Sequence, residues 1–367
     1  MKDCSAGFEP ATVPSQSGAA ASAGKMPALQ VRELSVALAL GLLLFGPGCS
    51  PGPAKKNGAG TGKTLKIAMI AKSSNNPVFP TAHKGAQDAA QELSQKLGVQ
   101  IEVQILTPPE EDGQVQAQRI AQAVNSGAQA ILISCSDASK VTGAINDAVG
   151  RGVPVMTFDS DAAASQRFAY YGVDDLETGA RVMSELAKFL DGKGKVAILA
   201  GNQNAPNLQR RAQGVRDEAR KYPGVEITDT VYHTETPQEA AKAVITYMQA
   251  HPDLAGWAMI GGWPLFTKAL LDEPQMKKVK IVAVDALPAE LPYVEQGVAP
   301  VLLAQPTYKW GYESVRIIAD KLILKKDVPV MNRMELVRVS KENLGDWARQ
   351  LRDWGFTDVP KAYLELK

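Results

Sequence analysis

Short apolar runs alternate with amphipathic stretches along most of the chain, beginning at Leu65. The first run, LKIAMI at 65–70, is followed by an Ala-rich helical pattern to Lys96 and then by IEVQIL at 101–106. Short β-branched runs predict strands, and the amphipathic stretches between them predict helices. The order of strand, helix and strand is typical of βαβ units.

This alternation continues to residue 304 and falls into two halves. Further strands are predicted at 130–134, 153–158, 168–173, 195–200, 225–232, 256–260, 280–284 and 301–304, and helices at 114–126 and 139–151. The runs at 130–134 and 153–158 are almost wholly apolar, as in parallel sheets buried on both faces. Right-handed crossovers then place helices on both faces of each sheet. The predicted fold class is α/β, with two doubly wound parallel-sheet lobes.

A separate apolar run, LSVALALGLLLF at 34–45, lies before the alternating region. Lys25 and Arg32 precede it, and small, turn-forming residues follow it. This pattern is typical of an export signal. The run has 12 residues, fewer than the roughly 20 that a helix needs to cross the hydrocarbon core of a bilayer. We therefore expect an exported protein rather than one with a permanent transmembrane anchor.

The end of this run resembles the lipobox of bacterial lipoproteins, which places Cys49 as a lipidation site. Gly46 stands where that motif usually has Leu. We expect a signal region over 1–49, with Met26 as a possible true start. The Gly/Pro/Lys-rich stretch 50–63 has little to bury and predicts a flexible tether.

Composition and charge narrow the choice of partner. Forty basic and thirty-nine acidic residues give a net charge of +1, which does not favour nucleic acid or anionic lipid. Of the three cysteines, Cys4 lies in the signal region, Cys49 is the lipidation candidate, and Cys135 has no partner. We therefore expect no structural disulfide.

Polar residues recur where the predicted strands end. Ligands of parallel sheets bind beyond the carboxyl ends of the strands, because loops from several strands meet there. Each residue alone is also explained as a helix cap or turn former, but their recurrence at one end predicts a binding site. The candidates are Asn76, Ser134, Asp159, Asn204, Asp285 and Gln305, together with Arg211 on the helix that follows one of these strands.

These side chains match a polyhydroxyl ligand. A sugar hydroxyl both donates and accepts hydrogen bonds, so carboxylates accept from it while Arg and Asn donate to it. Phe79 and Trp263 are candidates for covering the apolar face of a sugar ring. An aromatic residue near a strand is equally well explained as a core residue, and Trp257, within a predicted strand, is assigned to the core.

Several segments carry a family likeness. NNPVF at 75–79, DSD at 159–161, GVDDLETG at 172–179, GKVAILAGNQNAPNLQRRAQG at 194–214 and VAVDALP at 282–288 resemble periplasmic ribose-type sugar-binding proteins. The likeness runs from about Leu65 to beyond Gln305. It implies a type I periplasmic binding protein fold and sugar contacts through Asn76, Asp159, Arg211, Asp285 and Gln305.

Three positions depart from the ribose-type pattern. Ser160 stands where Arg is frequent, Val78 replaces an aromatic residue, and Gly261-Gly262-Trp263 replaces a strand-end Asn. These departures count against ribose itself and favour a different or larger polyol, a pentose or a hexose, so the resemblance leaves the specificity open.

The resemblance also implies a multi-strand hinge and a division into lobes. The hinge crossings are expected near 171–174, 305–308 and 333–338. The N-terminal lobe then comprises 64–172 plus 306–334, and the C-terminal lobe 173–305 plus 335–367. Closure would bury the ligand between the lobes of a monomer, which would deliver it to the membrane subunits of an ABC importer.

Other classes of function fit less well. The sequence has no HExxH, CxxC, GxSxG or P-loop motif, and the three His are scattered, so we expect no cofactor, no metal and no enzyme. A glycoside-processing hydrolase using Asp159 and Asp285 stays as an alternative. Lactose-repressor-like regulators place a helix-turn-helix where this chain has its export signal. A sugar sensor that presents the closed form to a receptor or kinase stays open.

Overall fold

Two six-stranded sheets form the frame of residues 64–366, the part of the chain that the computed structural model describes. The expectations for the signal region, Met26, Cys49 and the tether lie outside the described residues. The first sheet has the order β11-β5-β4-β3-β1-β2 and the second β12-β10-β9-β8-β6-β7. The strands are β1 (Thr64–Ile70), β2 (Gln100–Ile105), β3 (Ala130–Ile133), β4 (Val155–Phe158), β5 (Ala169–Gly172), β6 (Lys193–Ala200), β7 (Gly224–Tyr232), β8 (Leu254–Met259), β9 (Lys280–Val284), β10 (Val301–Ala304), β11 (Met331–Arg333) and β12 (Val337–Val339).

Helices connect the strands and cover both faces of each sheet. They are α1 (Phe79–Leu97), α2 (Gly113–Asn125), α3 (Ala138–Gly150), α4 (Asp175–Phe189), α5 (Pro206–Ala219), α6 (Pro237–Ala250), α7 (Leu291–Gln296), α8 (Thr307–Leu322), α9 (Leu344–Asp353) and α10 (Lys361–Leu364). Within residues 64–366, no helix is both long and apolar enough to cross a membrane.

The predicted fold class is confirmed. Every strand pair is parallel except β10 with β12. The ten predicted strands are all present, with ends within two residues of the expected ones. Uninterrupted apolar runs form the central strands because both faces are covered: Leu132 of β3 packs with α1 and α8, whereas Ile131 packs with α2 and α3.

The chain passes between the two sheets at three places. It leaves the first sheet after β5, returns after β10 through α8, and crosses again between β11 and β12. The strands β11 and β12 have three residues each, too short for an alternation pattern to reveal them.

Glycines bring two pairs of helices into close contact, α1 with α8 and α4 with α5. A Cβ atom at Gly179 of α4 would lie 1.9 Å from the carbonyl oxygen of Arg211 in α5, and one at Gly214 would lie 2.0 Å from that of Leu176. Gly311 of α8 meets α1 in the same way. The close packing of α4 and α5 fixes the backbone of Arg211.

Candidate ligand-binding site between the lobes

Polar side chains that follow strands of the two sheets meet one another. Asn207, at the start of α5, donates from Nδ2 to Asp159 Oδ1 (3.3 Å). Its Oδ1 accepts from the ammonium group of Lys72 (3.4 Å), which follows β1. These bonds join residues of the two sheets, so the carboxyl ends of the strands face a common cleft, as the sequence predicted for its polar residues.

Two aspartates occupy matching positions on the two sides. Asp159 follows β4 and Asp285 follows β9, each the third strand from its edge of the sheet. Both have positive φ angles, 55° and 82°. Asp tolerates this left-handed conformation better than most residues, and the chain turns directly after each strand. The two carboxylates are thereby held at the ends of their strands.

Asp159 is 4% exposed and lies in a hydrogen-bonded setting. The hydroxyl of Ser134, at the end of β3, donates to Asp159 Oδ2 (2.7 Å). The Tyr170 hydroxyl donates to the carbonyl oxygen of Asp159 (2.9 Å). This fixes both the backbone and the carboxylate of the residue.

Arg211, 2% exposed, is the centre of the polar network on the other side. It donates from Nε to Asp175 Oδ1 (2.8 Å), from one terminal nitrogen to the carbonyl oxygen of Ile260 (3.2 Å), and from the other to Gln305 Oε1 (2.9 Å). Gln305 in turn donates to Asp285 Oδ1 (2.9 Å). The sequence predicted three members of this network, and the structure brings them into direct contact.

Burial and charge oppose each other in this network. Burial disfavours the charge of Arg211, but Asp175, Asp159 and Asp285 outweigh it and raise the pKa of the guanidinium. Burial raises the pKa of Asp175 to about 7, against the stabilising charge of Arg211. Burial also raises the pKa of Asp285, although Gln305 donates to it. The Arg211 guanidinium therefore stays charged among carboxylates whose charge is costly to bury.

Lys72 is a buried member of the site that the sequence analysis did not select. It is 3% exposed, and its Nζ lies 3.6 Å from Glu111 Oε1 and 3.9 Å from Glu235 Oε1. Burial opposes its charge, but these two carboxylates and Asp159 outweigh it and raise its pKa. The sequence signal for this role is a charged residue, Lys72, that closely follows the apolar end of the first strand.

The remaining predicted residues differ in where they lie. Asn76 is buried, and its Oδ1 accepts from the backbone N–H of Val78 (3.3 Å). Asn204 is exposed, unlike the expectation for a site residue, and the nearby amide that joins the buried network is that of Asn207, in the first turn of α5. Asn207 was missed because four polar amides stand close together within residues 202–207, and sequence does not tell which one turns inward.

The two aromatic candidates are both buried. Phe79 is 1% exposed and packs against Phe158 and Trp310, with ring centroids 6.5 and 6.0 Å away. Trp263 begins a short 3₁₀ helix and packs edge-on against His233, with centroids 4.9 Å apart. A Cβ at Gly261 would lie 2.4 Å from the Trp263 ring. Gly261 therefore makes room for this indole.

A cavity of about 600 Å³ opens beside the buried network. One side is formed by residues after β1 and β2, such as Asn75 and Glu111, and the other by residues after β6 and β7, such as Asn202 and Glu235. Its volume lies in the usual range for small-molecule sites. Within residues 64–366, no three His, Cys, Asp or Glu side chains are grouped as a metal site would require.

Comparisons with known proteins agree with this geometry. A family model described as periplasmic binding protein domain matches residues 67–326. The ribose import binding protein of Bacillus subtilis is 26% identical over 233 residues, which cover 61% of this chain and 71% of that protein. The D-apiose import binding protein of Paraburkholderia graminis is 25% identical over 191 residues, 52% of this chain and 59% of that protein.

Solved structures show the same architecture. An ABC transporter solute-binding protein from Burkholderia graminis, in complex with D-arabinose, superposes with a TM-score of 0.71 at 27% identity, over 77% of this chain and 96% of that one. A glucose-galactose binding protein from Geobacillus stearothermophilus has a TM-score of 0.70 at 26% identity, over 77% and 99%.

Proposed function

The chain belongs to the periplasmic binding protein domain family, and from this premise we propose that it captures a sugar or polyol between its two lobes for delivery to an ABC importer. The observation that carries the proposal is the network of Arg211, Gln305 and Asp285, which lies across the cleft from Asp159. The carboxylates of Asp285 and Asp159 accept hydrogen bonds from ligand hydroxyl groups, while Arg211 and the Gln305 amide donate to them.

The chemistry of the network supports binding rather than turnover. Glycoside hydrolysis needs one carboxylic acid and one carboxylate placed on either side of the scissile bond. Here Asp159 accepts from Ser134 and Asn207, and Asp285 accepts from Gln305 and the backbone N–H of Gly262. Both are held as hydrogen-bond acceptors. Family members are binding proteins, and we propose that this chain likewise has no enzymatic activity.

The relatives support import as the destination of the ligand. Those named above are import binding proteins for ribose and for D-apiose and a solute-binding protein of an ABC transporter. The chain therefore works outside the cytoplasm. Lipidation of Cys49, action as a monomer and closure about the three crossings between the sheets are further parts of the proposal, based on the sequence pattern and on the course of the chain.

A thermal-shift screen with sugars and polyols tests the proposal. A ligand that binds only the folded state raises the melting temperature in proportion to the logarithm of its concentration above Kd. We expect one sugar or polyol to give a saturable increase, with no product detected by chromatography after prolonged incubation. The absence of stabilisation by every member of a broad panel would refute the assignment.

A further inference from the structure

The cavity beside the buried network has features of a second binding compartment. We define this outer compartment by Asn75, Glu111, Asn202, Tyr232, His233 and Glu235, all of which line the cavity of about 600 Å³. It lies near the edge strands β2 and β7, whereas Asp159 and Asp285 follow the inner strands β4 and β9. It therefore extends the cleft beyond the residues that the sequence analysis selected.

His233 is the first sign that the outer compartment receives a ligand. Both of its ring nitrogens are buried, and neither has a hydrogen-bond partner among the described residues. Burial also lowers the pKa of His233 to about 4, so the ring is neutral and has one donor and one acceptor. Buried polar groups are normally hydrogen-bonded. A ligand hydroxyl, which can donate and accept, suits this ring.

Tyr232 is the second sign. Its side chain is 49% exposed at the end of β7, although tyrosine is a large residue that is usually well covered. The ring lines the same cavity as His233. An aromatic face at the rim of a polar cavity can cover the apolar face of a sugar ring.

Lys72 connects the outer compartment with the buried network. Its ammonium group contacts Glu111 and Glu235 on the cavity side and Asn207 on the network side. Asn207 then donates to Asp159. Burial raises the pKa of Glu235 to about 8, so this carboxyl is mostly protonated at neutral pH, and Lys72 compensates the charge of Glu111. The compartment therefore favours a neutral polyhydroxyl group over a cation or an anion.

We infer that the ligand has at least two sugar units, one held by Asp159, Arg211, Asp285 and Gln305 and a second in the outer compartment against Tyr232 and His233. This inference rests on the proposed function and specifies its class of substrate. A ligand confined to the buried network would leave His233 and Tyr232 without a partner.

Calorimetric titration with matched ligands tests the inference. The purified chain is titrated with disaccharides and with each of their component monosaccharides. We expect one disaccharide to bind at least ten-fold more tightly than either component. If a monosaccharide binds as tightly as every disaccharide that contains it, the inference is wrong and the proposed function stands. If no sugar binds, both fail.

Two variants with matched controls locate the second unit. His233→Ala and Tyr232→Ala should each weaken disaccharide binding at least ten-fold, with a smaller effect on the component monosaccharide. His251→Ala is the control for the histidine, since His251 ends α6 and stacks on Tyr247 away from the cavity. Tyr222→Ala is the control for the tyrosine, since Tyr222 packs against the core that includes Val215 of α5 and does not line the cavity. Unchanged disaccharide affinity in both cavity variants, with both proteins folded, would overturn the inference.

Discussion

Replacing Arg211 by alanine should lower stability far more than an ordinary substitution on a helix. Arg211 is 2% exposed and is the ion-pair partner of Asp175, whose side chain is 9% exposed. Removing one member of a buried pair leaves the other without compensation, at a cost of about 3–5 kcal/mol. The same substitution leaves Gln305 Oε1 and the carbonyl oxygen of Ile260 without this donor.

The effect should be measurable as a change in melting temperature. One kcal/mol shifts the melting temperature of a domain of this size by about 2–4 °C, so Arg211→Ala should melt roughly 6–20 °C lower. Arg210→Ala is a matched control because the neighbouring Arg210 side chain is 60% exposed and lies 4.0 Å from Asp174. Surface pairs of this kind contribute about 0–1 kcal/mol.

A double-mutant cycle separates the pair from its surroundings. Once Arg211 is absent, Asp175→Ala should cost less than it does in the wild type, because the carboxylate has already lost its partner. We expect a coupling energy between Arg211 and Asp175 of about 1–3 kcal/mol by denaturant unfolding. Additive effects, or an Arg211→Ala protein as stable as Arg210→Ala, would refute the assignment of Arg211 as the centre of the network.

Three further predictions concern affinity, pH and packing. Asp159→Ala should weaken ligand binding, measured by calorimetry, roughly 10- to 100-fold for each charged hydrogen bond lost. Asp137→Ala, which removes a partly buried helix cap, should leave the affinity unchanged, and equal losses in both variants would place the ligand elsewhere. Burial raises the pKa of Glu235 from 4.5 to about 8, so its contribution to stability is present below pH 4.5 and is lost as the pH rises through 8. Between pH 5 and pH 9 the melting temperature should therefore fall less in Glu235→Gln than in the wild type. The exposed control Glu239→Gln should follow the wild type, and a melting temperature of Glu235→Gln that falls as much as that of the wild type would contradict this. Gly179→Ala should destabilise the protein by about 1–3 kcal/mol because its Cβ would lie 1.9 Å from the Arg211 carbonyl oxygen. The control Gly143→Ala in α3, where a Cβ has nothing within 4 Å, should stabilise it by about 0.5–1 kcal/mol. Denaturant unfolding measures both, and the opposite order of stabilities would refute the packing argument.

The fold was accessible from sequence because apolar periodicity is a local signal. Strands buried on both faces, such as β3 and β10, are uninterrupted apolar runs that sequence reveals directly. The three-residue strands β11 and β12 depend on neighbours distant in sequence. The local pattern of apolar and polar residues therefore does not reveal these two strands.

The candidate site was accessible in part for the same reason. Asp159 and Asp285 were found because they follow apolar strands directly. Lys72 and Asn207 were missed because their importance comes from each other across the cleft, over a sequence separation of 135 residues. Glu111 and Glu235 likewise become site residues only through Lys72. Contacts between the lobes are tertiary, so no local pattern marks their members.

A crystal structure of the protein with the sugar that stabilises it most tests the central claim directly. The account predicts that sugar hydroxyls lie within hydrogen-bonding distance of Asp159 on one side of the cleft and of Arg211 or Asp285 on the other. A sugar that contacts only one lobe, or that lies outside the cleft, would contradict it.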